Sequence, residues 1–198
     1  MNKQSLFYTV VFTFIVCFVF VALLAVANDL TAERVRQNEI VAQQRAVLAA
    51  MGVPFASDED VLALFEDVEQ QEIDGRIVYI TEQDGTRIYA MSFRGAGLWG
   101  PIIGILAMDS SFETIFGIEI VSHEETPGLG GRITEDQWKE QFRDRPVPDG
   151  SIEVVRGGSA GDGQVAAITG ATGTSNSMER ILNNAIQQLQ KLVGGRDA

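Results

Sequence analysis

An uncharged apolar run near the N-terminus constrains this chain more than any other feature of its sequence. The 22 residues of Leu6–Ala27 carry no charge and are almost wholly apolar. About 20 such residues are enough to cross a hydrocarbon core of about 30 Å as an α-helix. The sequence therefore predicts a transmembrane anchor over residues 1–28, a helical stalk over 29–52 and a globular domain over 53–198.

The alternative to a retained anchor is a secretory signal peptide that is removed after export. Ala25-Val-Ala27 resembles a small-residue cleavage site. The apolar run is longer than the usual signal core of about 7–15 residues, and only Lys3 precedes it as a charged side chain. Cys17 lies in the middle of the run, which does not suit a lipoprotein anchor. These features favour a retained helix, whereas the flanking charges do not decide its orientation.

Charge and rare residues exclude several function classes. The net charge of −12 argues against a nucleic-acid partner, because phosphate backbones need neutralisation by Lys and Arg. The single Cys17 cannot form a disulfide within the chain, a CxxC redox pair or an iron–sulfur site. The single His123 has no second His or Cys to complete a metal site, and hydrolysis by a Ser-His-Asp triad would have to use this same residue. We therefore expect no metal and no catalytic residues, and a flavin is the remaining electron carrier.

The order of predicted strands and helices indicates an α+β fold with a mainly antiparallel sheet and flanking helices. Asp84-Gly85 is a hairpin signal. Ser57 with Asp60, and Thr134 with Gln137, resemble capping boxes that begin two helices. Strands are predicted at Arg76–Glu82, Thr86–Phe93, Pro101–Met108, Thr114–Ser122, Ser151–Val155 and Gln164–Ile168.

The segment Ile168–Met178 concentrates hydroxyl groups in a short turn of small residues before a strongly periodic helix. Its hydroxyls belong to Thr169, Thr172, Thr174, Ser175 and Ser177. A strand, a small-residue turn and a helix start can aim backbone N–H groups at a phosphate, and we expect the amides of Thr174 and Ser175 to do so. The structural alternative is an ordinary Ser/Thr helix cap, which needs one hydroxyl rather than five.

Three segments resemble the family of NqrC and RnfG subunits. Thr169-Gly-Ala-Thr172 is similar to the family's (Ser/Thr)-Gly-Ala-Thr flavinylation motif. Glu125-Thr-Pro-Gly-Leu-Gly130 is similar to its Glu-Thr-Pro-Gly-Leu-Gly loop, and Gly97-Leu-Trp-Gly-Pro101 is closest to the NqrC version of a third segment. With the N-terminal apolar run, the resemblance spans nearly the whole chain. It implies an FMN-binding electron-transfer subunit of the sodium-pumping NADH:quinone oxidoreductase or of its Rnf relative.

The resemblance also implies the site and its surroundings. FMN would be joined to Thr172 by a phosphoester bond, and Trp99 and Leu129 offer faces on which the flavin ring can stack. For Trp99, packing in the core is an equal alternative. The predicted cofactor-binding residues are Leu98, Trp99, Thr126, Gly128, Leu129, Thr169, Gly170, Ala171, Thr172, Thr174 and Ser175. The implied partners are other membrane subunits of an Nqr- or Rnf-type complex and a flavin transferase, with the domain on the periplasmic side of a bacterial inner membrane.

The chain departs from the family pattern at one position. The family's attachment site usually has an Asp three residues before the opening Ser/Thr, and this chain has Ala166 there. The resemblance implies that the flavin transferase reads that Asp. An alternative function is therefore a membrane-tethered module that binds FMN or another phospho-ligand reversibly, without electron relay. Glu124 and Glu125 are expected to begin a solvated loop, because neighbouring strand residues point to opposite faces.

Overall fold

The structure is a computed structural model that describes residues 6–157 and 161–194. Lys3 and residues 158–160 of the predicted loop after the strand at 151–155 lie outside these ranges. The helices are α1 (Leu6–Ala50), α2 (Asp58–Phe65), α3 (Asp136–Lys139) and α4 (Thr172–Val193). The strands are β1 (Glu69–Ile73), β2 (Arg76–Gln83), β3 (Thr86–Ala96), β4 (Pro101–Asp109), β5 (Thr114–Ser122), β6 (Arg145–Pro146), β7 (Glu153–Val155) and β8 (Gln164–Ala166).

The chain divides into two compact units, Met1–Ile40 and Val41–Ala198. Within the described ranges, α1 is the one helix that is long and apolar enough to span a membrane, and its most apolar stretch is not buried by protein. Large side chains such as Phe14 and Phe18 are exposed along it. Contiguous apolar surface of this kind marks a membrane or protein contact. The anchor and stalk boundaries at residues 28 and 52 stay predictions, and α1 passes the first of them without a break.

A six-stranded antiparallel sheet forms the centre of the second unit, with its strands in the order β1-β2-β3-β4-β5-β6. The β2–β3 hairpin turns at Asp84 and Gly85, whose φ angles of 50° and 78° suit a two-residue turn of the kind that closes hairpins. β7 and β8 form a separate parallel pair. This architecture confirms the α+β prediction with a mainly antiparallel sheet.

Two apolar cores lie on opposite faces of the sheet. On one face, α4 packs its periodic stripe, including Ile181 and Leu182, against strand residues such as Phe93. On the other face, the last turn of α1 and helix α2 pack against residues such as Tyr79 and Ala90. Because successive strand residues point to opposite faces, β3 contributes alternate side chains to each core.

One local prediction is wrong, one strand was not predicted, and one capping box is confirmed. The capping box at Thr134 is wrong, because α3 is short, has no side-chain cap and lies between two 3₁₀ turns. The Thr134 hydroxyl instead donates to the Gly131 carbonyl at 3.0 Å. Strand β1 was not predicted, because its exposed residues Glu69–Glu72 are polar and have low strand propensity. The capping box of Ser57 and Asp60 is confirmed.

Arg143 joins the C-terminal end of α1 to the sheet. Its guanidinium donates to the carbonyls of Ala49 and Ala50 at 3.0 and 3.2 Å, and to the carbonyl of Phe116 in β5 at 2.9 Å. The last carbonyls of a helix have no partner inside it, and they carry the negative end of its dipole. A half-buried cation is therefore well suited to this position.

We expect Arg143→Met to destabilise the second unit by about 2 kcal/mol, because it removes charge-assisted hydrogen bonds to three backbone carbonyls. The free energy of unfolding of the second unit, from urea titration of the full chain, measures this change. Arg156→Met is the matched control, because Arg156 is exposed and makes none of these contacts. Equal stabilities of the two variants would contradict this role for Arg143.

Candidate functional site

The turn between β8 and α4 presents free backbone donors. Gly170 has a φ of 81°, which lets the chain reverse before α4 begins at Thr172. Ala171 precedes the helix, and no side chain caps it. The first N–H groups of a helix have no partner inside it, so those of Thr172, Gly173 and Thr174 point out of its N-terminal end. The predicted contribution of the Ser175 amide does not fit, because that amide donates to the Ala171 carbonyl at 2.9 Å.

Three of the five hydroxyls in this segment are buried and engaged with protein atoms. The Ser175 hydroxyl accepts a hydrogen bond from the Ile168 amide at 3.0 Å, and the Ser177 hydroxyl accepts one from Arg180 at 2.9 Å. The third buried hydroxyl, of Thr174, donates to the carboxylate of Glu125. The hydroxyls that remain belong to the two exposed threonines, Thr169 and Thr172. The plain helix-cap alternative is therefore wrong for this turn.

The carboxylate of Glu125 binds two distant segments to its own loop. One oxygen, Oε1, accepts hydrogen bonds from the amides of Leu98 at 2.7 Å and Trp99 at 3.2 Å. The other, Oε2, accepts the Thr174 hydroxyl at 2.6 Å. Glu125 is only 4% exposed, and in the part of the chain that the structure describes it forms no ion pair. The three hydrogen bonds thus replace the water that a buried carboxylate loses.

The prediction that Glu125 begins a solvated loop is wrong, although Glu124 is exposed as expected. Strand alternation does not apply, because β5 ends at Ser122 and both residues follow it. The backbone amide of Glu125 donates to Nδ1 of His123 at 3.1 Å, which fixes the local bend. The sequence signal for this carboxylate was its place at the start of the Glu-Thr-Pro-Gly-Leu-Gly segment.

Two glycines make room for the Glu125 carboxylate. A Cβ on Gly97 would collide with its Oε1 atom. A Cβ on Gly130 would collide with the Thr174 hydroxyl and would lie 2.7 Å from the Oε2 atom of Glu125. Any larger residue at either position would therefore force the carboxylate out of place.

An apolar rim of three exposed side chains, Leu98, Trp99 and Leu129, flanks the turn. They are 57%, 70% and 46% exposed. A Cβ on Gly173 would lie 3.1 Å from the Leu98 side chain, and one on Gly170 would lie 3.4 Å from Leu129. The alternative that Trp99 packs in the core is therefore wrong.

The loop that carries Leu129 is a compact turn on the surface. The Thr126 carbonyl accepts the amides of Leu129 at 3.2 Å and Gly131 at 2.9 Å. Gly128 has a φ of 72°, which this turn requires. The predicted site residues Thr126 and Gly128 are thus exposed in the same turn as Leu129 of the apolar rim.

Ala166 lines a groove of about 300 Å³ together with Arg132, Trp138 and Thr169. Its amide donates to Oε1 of Gln141 at 2.6 Å, and its carbonyl accepts from Nε1 of Trp138 at 3.2 Å. The backbone at this position is therefore fixed. Ala166, the residue that departs from the family pattern, thus lines the same groove as Thr169.

Comparisons with known proteins show which proteins this chain resembles. A family model described as the FMN-binding domain matches residues 97–187, which include the apolar rim, the Glu125 loop and the turn. The RnfG-type subunit of an ion-translocating oxidoreductase complex from Methanosarcina acetivorans is 31% identical over 180 residues, which cover 87% of this chain and 88% of that protein.

The NqrC subunits of Na⁺-translocating NADH-quinone reductases are also similar. The Pseudomonas aeruginosa protein is 26% identical, with 92% of each chain covered. The Chlamydia muridarum protein is 33% identical over 124 residues, and the match spans only 39% of its length. The crystal structure of the corresponding protein from Parabacteroides distasonis has a TM-score of 0.69 at 26% identity, and the match covers 80% of this chain and 94% of that one.

The apolar helix, the fold and the matched domain together define a single-pass membrane-anchored protein with an FMN-binding domain. The chain belongs to the family of NqrC and RnfG subunits.

We expect Glu125→Leu to destabilise the domain by about 3 kcal/mol, because it leaves two amides and one hydroxyl without an acceptor. Urea unfolding of the full chain measures this change. Glu124→Leu is the matched control, since the neighbouring carboxylate is exposed. If Glu125→Leu unfolded at the same urea concentration as Glu124→Leu, the site would not depend on the buried carboxylate.

Proposed function

We propose that this protein is a flavoprotein subunit that relays electrons through FMN in an ion-translocating NADH or ferredoxin redox complex. FMN would be joined to Thr172 by a phosphoester bond. One observation carries the proposal: Thr172 is an exposed hydroxyl in the first turn of α4, beside free amides and an apolar rim. The other exposed threonine, Thr169, lies before the helix begins.

The described residues fit both ends of FMN. The free N–H groups of Thr172, Gly173 and Thr174, together with the positive end of the helix dipole, suit the phosphate. The apolar rim suits the flavin ring, because the exposed Trp99 ring offers a flat face for stacking and the two leucines add apolar contact. When bound, FMN supplies the electron-transfer chemistry. The protein residues hold the phosphate, orient the ring and shape the charge around it.

The exposure of the site supports a relay rather than catalysis on a small substrate. Trp99 is 70% exposed, so the apolar rim is an open surface and not a closed pocket. An open surface suits exchange of electrons with cofactors in partner subunits, and the similar proteins are named as subunits of such complexes. An exposed Thr172 also suits a flavin transferase, which must reach the hydroxyl. The family resemblance favours a domain on the periplasmic side.

A second candidate function is reversible binding of FMN or another phospho-ligand without electron relay. Ala166 favours it, because the family has an Asp at that position. The same free amides would hold the phosphate in this case. The two candidates differ in one measurable property, namely a covalent bond between the protein and the flavin.

We expect Thr172→Ala to abolish covalent flavin, because a phosphoester needs a side-chain oxygen, and Thr172→Ser to retain part of it. The protein would be purified from its native host and run on a denaturing gel. In-gel flavin fluorescence and peptide mass then report the bond and its position.

Two neighbouring threonines serve as controls for Thr172→Ala. Thr169→Val removes the other exposed hydroxyl, and Thr174→Val removes one that already donates to Glu125. Both variants should keep the covalent flavin. Fluorescence that survives in Thr172→Ala would overturn the assignment. A native-host protein that binds flavin but loses it on denaturation would favour the reversible function.

Trp99→Ala should shift the flavin absorption and reduction potential while leaving the flavin attached. Because Trp99 is 70% exposed, its removal should cost less than about 1 kcal/mol of stability. Trp138→Ala is the control, since that ring is 5% exposed and its loss should cost about 3–5 kcal/mol. Visible spectra, redox titration and urea unfolding give these values. A Trp99→Ala protein with an unchanged flavin spectrum would exclude ring stacking on Trp99.

A further inference from the structure

Strand β3 continues past the start of its neighbour β2. The pairing of β2 with β3 begins at Val78 and Met91. Beyond it, Arg94 and Ala96 pair with β4 on one side only. Among the described residues no strand pairs with them on the other side, because β2 begins at Arg76 after a tight turn. The end of β3 is therefore an open strand edge.

The backbone groups of Arg94 and Ala96 face this open side. In antiparallel strands, the N–H and C=O groups of successive residues point to opposite sides. The amide of Gly97, just after β3, donates to the Gly100 carbonyl at 2.8 Å. The N–H and C=O groups of the odd-numbered residues of β3 therefore point toward β4. In the β2–β3 hairpin, Thr86 pairs with Gln83. The N–H and C=O groups of the even-numbered residues of β3 therefore point toward the side on which β2 lies. Arg94 and Ala96 thus offer an added strand the hydrogen bonds that an unpaired edge provides.

The open edge lines a groove with a volume of about 630 Å³. Apolar side chains, including those of Tyr79, Phe93 and Ile181, form much of its wall. A groove of this size, between about 300 and 1,000 Å³, is typical of binding sites. It is separate from the apolar rim, since it shares no residue with it.

Three arginines line the groove, and no Asp or Glu does, although the whole chain has a net charge of −12. They are Arg76, Arg94 and Arg180, and none of them forms an ion pair within the described ranges. Arg180 donates to Ser177. This local excess of positive charge is complementary to an acidic ligand.

The arginines of the strands lie on both faces of the sheet. Arg94 and Ala90 are an even number of residues apart in β3, so their side chains point to the same face of the sheet, on which Ala90 packs in the core beside α2. Arg76 and Val78 in β2 likewise share the opposite face, on which Val78 packs in the core beside α4. Helix α4 also carries Arg180. An added strand would direct alternate side chains to the same two faces, whereas a lipid headgroup would meet one cluster of charge.

We propose that the open edge of β3 binds an extended, acidic segment of a partner protein as an additional strand. Backbone pairing with Arg94 and Ala96 supplies the attachment, and carboxylates on both faces of the segment meet the arginines. Arg180 lies eight residues after Thr172 on α4, which is about 12 Å along the helix axis. A partner held at this edge would therefore lie close to the site of the proposed flavin.

The test uses the full chain in detergent and the heptapeptide Thr-Val-Glu-Asp-Glu-Val-Thr, labelled with tetramethylrhodamine. Its carboxylates project to both faces of a strand. Fluorescence anisotropy should show saturable binding below about 1 mM, the range of weak specific complexes. A peptide of the same sequence with an N-methyl group at every amide keeps the charge, but neither of its edges can pair with a strand. This peptide should not show saturable binding.

Charge reversal tests the arginines independently. Arg94→Glu and Arg180→Glu should each weaken binding about tenfold, because each places a like charge beside the peptide. Arg156→Glu, an equal change at an exposed position outside the groove, should weaken it less than about twofold. Unfolding curves confirm that the variants are folded.

Three outcomes would overturn the inference. The first is no saturable binding of the peptide. The second is equal binding of the unmodified and the N-methylated peptide, which would indicate attraction between charges without strand pairing. The third is binding of phosphatidylglycerol vesicles that Arg94→Glu and Arg180→Glu abolish, with no peptide binding, which would assign the groove to lipid. None of these outcomes depends on flavin attachment, which the Thr172 variants test separately.

Discussion

The site depends on one buried carboxylate, that of Glu125. It accepts hydrogen bonds from two amides after β3 and from the Thr174 hydroxyl in the first turn of α4. These partners lie 27, 26 and 49 residues away in the sequence. A buried carboxylate without hydrogen bonds is costly, and the same carboxylate with good donors is stable. The hydrogen bonds of Glu125 therefore fix two loops and the first turn of α4 relative to one another, and Gly97 and Gly130 leave space for its carboxylate.

This arrangement also separates the hydroxyls of the turn into two groups. Thr174, Ser175 and Ser177 stabilise the protein by internal hydrogen bonds, so their oxygens are not free for a ligand. Thr172 lies between these buried residues and the exposed Gly170, with its own side chain in solvent. A helix that begins without a side-chain cap keeps its first amides for a ligand. Hydroxyl exposure and free amides thus occur together at one position.

Helix α4 links the two surfaces for which we propose functions. Its first turn borders the apolar rim, and its later turns pack on the sheet and border the groove beside the open edge of β3. Ile181 fills the space above Gly95 at the end of β3, where a Cβ would collide with it. Because a packed helix moves little relative to its sheet, the distance between the two surfaces is fixed by the core.

Local patterns in the sequence determined the apolar run of α1, the hairpin at Asp84-Gly85, the cap of α2 and the stripe of α4, because each depends on residues close together in the chain. They also located the turn that contains Thr172. Only the tertiary structure decided that Glu125 is buried and that Trp99 is exposed, because burial depends on which distant segments pack around a side chain. It alone also showed the polar edge strand β1, whose residues give no strand pattern and pair because β2 offers them an edge.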